Sequence, residues 1–97
     1  MKTQLIQFGT TLSSRPAGID AYSAYSLNFD TLETNESIEI DFEGISSLSP
    51  SWGDEFFTPL LKKFGDKLVL INTDNLSVEA TLNLLEDINK VKFNRQS

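Results

Sequence analysis

Cysteine and histidine are both missing from this 97-residue chain. Without cysteine there is no disulfide and no thiolate metal site, and the redox compartment leaves no trace in the sequence. Without histidine, the commonest general base near neutral pH and the commonest metal ligand are gone. Any chemistry would have to run on carboxylates, hydroxyls and amines. Long apolar runs are missing as well. None approaches the ~20 residues of a membrane-spanning helix, and the opening "MKTQLIQFGTTLSSR" is too polar for a secretory leader. Positive charge is scarce, with eight Lys and Arg against fourteen Asp and Glu for a net charge of −6. The isoelectric point near 4.4 describes a surface that repels nucleic-acid phosphates and anionic lipid. No nucleic acid, no membrane, no metal and no cofactor is therefore expected, and the expected location is cytoplasmic.

What is present fits one domain spanning residues 1–97. Hydrophobic residues make up 39% and charged residues 23%, the balance of a soluble globular chain with a single core. Three short apolar stretches alternate with three amphipathic ones. Gln4 to Phe8, "QLIQF", reads as a strand closed by Gly9, and Thr10 to Ser14 as a second short strand or a loop. Ser14 caps a helix opened by Arg15-Pro16, with Ile19, Tyr22, Tyr25 and Phe29 as its apolar stripe. "TLETNES" is a loop. Ser37 to Ile45 alternates Ile38, Ile40 and Phe42 against Glu39, Asp41 and Glu43, the period of a half-buried strand.

Pro50 opens a second helix in which Trp52, Phe56, Leu60 and Phe64 recur every four residues, and Gly65 ends it. Pro59 lies inside that stretch, where proline costs ~3 kcal/mol, so a kink or break is expected there. Lys67 to Asn72, "KLVLIN", has the continuous apolarity of a strand covered on both faces. Ser77 caps a third helix running to about Lys92, and the polar tail from about residue 93 is expected to fray. Strand–helix pairs in this order specify a small α/β layer whose second and third strands are parallel.

The segment "SLSPSWGDEFF", Ser47 to Phe57, falls between a strand and a helix start. Free N–H groups and the helix dipole favour ligands and negative charge at such places. Its plainest use is capping, by Ser49 with Pro50 first in the helix, or by Ser51 with Asp54 in a loose capping box. A serine nucleophile would need a base, and only Lys, Asp or Glu remain; the chain has no G-x-S-x-G elbow and no glycine-rich phosphate loop. A phosphoacceptor or docking edge needs neither. Asp41 as a phospho-acceptor is disfavoured by its mid-strand position, which suits a solvent-side residue or one bonded to a neighbouring loop. Trp52 is either core or a docking anchor. Arg15 is either solvated or a donor to Glu43, Asp41 or a ligand's anion.

Taken together, "IEIDFEGISSLSPSWGDEFFTPLLKKFGDKLVLIN" resembles the STAS domains, named for sulphate transporters and anti-sigma-factor antagonists. The closer likeness is to the STAS-like domains of unknown function, small bacterial proteins. The residues carrying it are Asp41-Phe42-Glu43-Gly44, Ser49 to Ser51, Trp52 and Asp54-Glu55, with "SSRPAG" at Ser13 to Gly18. The resemblance implies a small STAS-like α/β fold with a mixed, largely parallel sheet and about three helices. It further implies a non-enzymatic regulatory module docking a protein partner, an ATP-binding kinase or an anti-sigma-like ATPase, through Ser49, Ser51, Trp52, Asp54 and Glu55. In the antagonists the partner kinase phosphorylates a serine that here aligns with Pro50, which leaves Ser49 or Ser51 as the available hydroxyl. From another class, a sensor could hold a small anion or nucleotide between this turn and Arg15, with Asp41 and Glu43 as further polar groups.

Overall fold

Ile38–Asp41 and Leu68–Ile71, the two runs with the strongest strand pattern, lie side by side and parallel at the centre of a four-stranded sheet. The structure, a computed structural model, describes residues 1–33 and 35–96. Thr34, in the expected Thr31–Ser37 loop, and Ser97, in the tail expected to fray, lie outside the described residues. In chain order the strands are β1 (Lys2–Gln4), β2 (Thr11–Leu12), β3 (Ile38–Asp41), β4 (Ser47–Leu48), β5 (Leu68–Ile71) and β6 (Asn94–Gln96). The helices are α1 (Arg15–Ser26), α2 (Pro50–Phe64) and α3 (Leu76–Asn89).

The main sheet has the order β1-β3-β5-β6, every pairing parallel, and β2 and β4 form a separate parallel pair. The expected small α/β layer is therefore present. The strand order steps one way across the sheet, so right-handed crossovers place all three helices on one face. That explains a departure at β5. Leu68 and Leu70 are wholly buried beneath the helices, but Val69 and Ile71 are only half-buried on the other face, which has no second layer among the described residues. The same rule buries Ile38 and Ile40 and turns Glu39 outward.

Four further expectations are corrected. The first strand ends at Gln4, and Leu5–Phe8 winds as a 3-10 turn. A 3-10 turn repeats every three residues, which brings Leu5 and Phe8 to the same side, toward the core; a strand would have split them. In α1 the covered residues are Gly18, Ala21 and Tyr25, and Ile19 is exposed. Helix α2 is continuous through Pro59, which corrects the break among the two expected outcomes. Phe56, Phe57, Leu60 and Leu61 bracket the proline and are buried, each contributing about 1.5–3 kcal/mol, which outweighs one lost backbone bond. Finally, the tail does not fray among the described residues. Phe93 is buried near Phe57, and β6 pairs along β5.

Ser14 and Ser49 cap α1 and α2 as their sequences suggest, and Gly65 closes α2. Helix α3 is capped by Asn75 rather than Ser77, whose hydroxyl bonds the backbone of Leu48 instead. All three helix starts thereby gather around β4.

Candidate functional site

Two short parallel strands decide where the serine turn sits. Pairing of Thr11 with Ser47 and Leu12 with Leu48 brings the approaches to α1 and α2 alongside each other. Ser49 completes the junction. Its N–H donates to the Leu12 carbonyl at 2.8 Å, its hydroxyl donates to the Ser13 carbonyl at 3.0 Å, and its Oγ accepts the Trp52 N–H at 3.2 Å. Ser49 is thus committed to holding two helix starts together. Ser51, one residue beyond Pro50, is half-buried, and its hydroxyl makes no hydrogen bond among the described residues.

Helix α1 crosses close to the first turn of α2, and glycine makes that possible. A Cβ on Gly18 would lie 2.7 Å from the Trp52 carbonyl oxygen and 3.0 Å from its Cα, too near for any side chain. Beneath this crossing Trp52 is only 2% exposed. It stacks on Phe56 with ring centroids 4.9 Å apart, and Phe8 and Phe57 close around it. The docking-anchor alternative for Trp52 is therefore corrected. The spacing of four that suggested a stripe was the signal of a core residue.

The surface over the crossing is polar. Arg15 Nη1 donates to Glu55 Oε1 at 2.6 Å and to Asp54 Oδ2 at 3.2 Å, tying α1 to α2. The hydrogen bonds to Glu55 and then Asp54 raise the Arg15 pKa still further, so its charge is permanent. Asp54 Oδ1 accepts the Thr58 hydroxyl at 2.8 Å, and Asn89 Nδ2 donates to Thr58 Oγ1 at 3.3 Å. A ribbon of polar bonds so runs over the backs of α1, α2 and α3. Arg15, Asp54 and Glu55 each keep about a third to a half of their side-chain surface in water. Thr58 and Asn89 carried no pattern that sequence reasoning could detect, because their link spans 31 residues.

Asp41 and Glu43 belong elsewhere. Arg15 is engaged by Asp54 and Glu55, so the expected pairing of Arg15 with Asp41 or Glu43 is corrected. Asp41 is buried at the end of β3, and its Oδ1 accepts the Glu43 N–H at 2.9 Å and Asn72 Nδ2 at 2.8 Å. Burial pushes its carboxyl upward, but Asn72, the Glu43 N–H, Gln4 and the charge of Lys2 together hold it below the usual range. It is the loop-bonding residue of the two ordinary readings, an Asx-turn that ties β3 to β5. The Glu43 side chain is exposed, and the residue's backbone N–H completes that turn.

Sequence reasoning also missed Glu86. This buried carboxylate accepts the Phe93 N–H at 2.8 Å and meets Arg95 at 3.1 Å, fastening β6 to α3. An acidic residue on the inner face of an apolar helix, seven positions before the buried Phe93, is the only clue the sequence offers.

No helix is long and apolar enough to cross a membrane among the described residues. A family model described as a STAS-like domain of unknown function (DUF4325) matches residues 29–78, which span β3, β4, α2, β5 and the start of α3. No curated protein and no solved structure matches the chain.

Proposed function

The chain belongs to the STAS-like domain family, and from the geometry of its turn we propose that it is a non-enzymatic regulatory module docking a protein partner. The docking edge is the start of α2 flanked by the start of α1. Arg15, Ser51, Asp54 and Glu55 reach solvent there, while Ser49 and Trp52 hold the backbone beneath them. The partner class is an ATP-binding kinase or anti-sigma-like ATPase, met in a bacterial cytoplasm.

One observation carries this reading, the unequal use of the two serines beside Pro50. Ser49 is spent on three backbone groups, whereas the Ser51 hydroxyl is unbonded among the described residues and stands in the first turn of α2. A phosphate on Ser51 would add nearly two negative charges. The helix start favours that charge, Asp54 and Glu55 oppose it, and Arg15 would be drawn from them toward it. Modification of Ser51 would so redraw the charge pattern of the edge without unfolding what lies under it.

The competing sensor built on Arg15 is less well supported. Its guanidinium already meets two carboxylates, and an incoming anion would have to displace them.

Titration calorimetry against an ATP-binding anti-sigma-type kinase of the same bacterium tests the proposal. Ser51→Asp should weaken binding at least about tenfold with thermal stability unchanged, and Glu55→Lys likewise with only a small loss of stability from the broken surface bond to Arg15. Binding that is indifferent to both substitutions removes the proposed edge.

A further inference from the structure

Exposed apolar residues scattered singly over a surface need no explanation. Helix α3 is different. Leu76, Ala80, Leu84 and Ile88 recur every four residues along one exposed ridge, with Val91 just beyond the helix end. Leu76 is 83% exposed and Ile88 62%. The opposite face of the same helix buries Val78, Leu82 and Leu85, so α3 is apolar on two sides while only one has a partner among the described residues. A ridge of residues four apart is the surface that interdigitates when two helices cross.

The two ends of the ridge are complementary to each other. At the start of α3, Leu76 projects as an apolar knob, two residues after Asp74. At its end lies a cleft of about 310 Å³ lined by Leu61 and Val91 together with Lys62 and Lys92, Asp66 being its one carboxylate among the described residues. Lys90 stands at the same end, as the C-cap of α3. Knob and acid occupy one end; hollow and lysines occupy the other, where Lys92 is paired with Glu86 at 3.7 Å and exposed Asp87 stands near Lys90. Only an antiparallel arrangement satisfies both ends at once.

We infer that α3 is a homodimer interface, on which α3 of a second copy of this chain packs antiparallel. A two-fold axis midway between Ala80 and Leu84 sets each against the other across the interface, bulky side chain over small. The same axis sets Leu76 against Ile88 of the second copy, next in sequence to Asn89 of the cleft's lining, and Asp74 against Lys90. An isologous contact makes each pairing twice. The fourteen residues of α3 extend ~21 Å, a footprint smaller than the ~800 Å² per partner of standard interfaces. The dimer is accordingly weak, with a dissociation constant of roughly tens to hundreds of micromolar. The ridge is separate from the edge at Arg15 and Ser51, so the inference does not rest on the proposed function.

Sedimentation equilibrium of the full chain across micromolar to millimolar concentrations tests it. The mass should climb from 10.9 kDa toward twice that value. Ile88→Glu and, independently, Leu84→Ser should hold it at the monomer value with circular dichroism unchanged, melting falling little for Ile88, 62% exposed, and somewhat more for Leu84, 42% exposed. Lys90→Asp should weaken association roughly fivefold, and combining it with Asp74→Lys should recover it, since the pair is re-formed with signs reversed. A mass that stays monomeric at millimolar chain overturns the inference, whether or not another protein or a lipid is later found on this face. So does association that survives Ile88→Glu, or a double swap that recovers nothing.

Discussion

Replacing Ser49 by alanine removes the acceptor of the Trp52 N–H and the donor to the Ser13 carbonyl in a single step. Loss of a helix cap of this kind costs about 0.5–2 kcal/mol. The second bond is exposed and worth less, about 0.5 kcal/mol, because water replaces the hydroxyl on the Ser13 carbonyl. Together they predict a destabilisation of about 1–2 kcal/mol, which in a domain of this size lowers the melting temperature by roughly 5–15 °C. Ser51→Ala, two residues away, breaks no hydrogen bond among the described residues and should move it by less than about 0.5 kcal/mol. Urea melts followed by far-ultraviolet circular dichroism, with both variants beside the parent, give the comparison directly. If Ser51→Ala costs as much as Ser49→Ala, or Ser49→Ala costs nothing, the division of the two serines into a strut and a free hydroxyl is wrong.

Gly18→Ala would ordinarily stabilise a helix, but here its methyl meets Trp52 backbone atoms at 2.7 and 3.0 Å. A loss of about 1–3 kcal/mol in urea unfolding is expected, and a gain would contradict the close crossing of α1 and α2. Asp41 has a lower pKa folded than unfolded, so its contribution is complete above the unfolded carboxylate value of ~4 and disappears as pH falls through the lower folded value. The stability gap between the parent and Asp41→Asn should therefore be widest at neutral pH and close on acidification; a gap constant with pH would count against it. Glu86→Ala leaves the Phe93 N–H without its acceptor and removes the carboxylate partner of Arg95, which keeps only its bond to Asn83 Oδ1. It should cost about 1–3 kcal/mol and speed amide exchange at Asn94–Gln96 well before α2, and uniform exchange across both would contradict the fastening role.

The legible parts of the fold were those with a period. Trp52, Phe56 and Leu60 announced α2; Ile38 and Ile40 announced β3; Leu68 to Ile71 announced β5. The Ser14 and Ser49 caps could be read because proline follows each within two positions. Lys2–Gln4 and Asn94–Gln96 were not legible, since a three-residue strand shows no alternation and owes its place to a neighbour already in position. Pro59 misled because a local penalty was weighed without the buried aromatics around it.

At the site, the segment and its acidic pair were visible in the sequence, but their partner was not. Arg15 reaches Asp54 and Glu55 across 39 and 40 residues, a contact only the fold can make. For Trp52 the sequence left core and docking anchor both open, and the crossing of α1 over α2 decides for the core.

Amide hydrogen exchange of the chain with and without a saturating ATP-binding partner probes the docking edge most directly. Slowed exchange confined to Ser14–Gly18 and Pro50–Glu55, and abolished by Ser51→Asp, is the expected footprint. Protection that falls on β6 or the outer face of the sheet, leaving the starts of α1 and α2 unchanged, would contradict it.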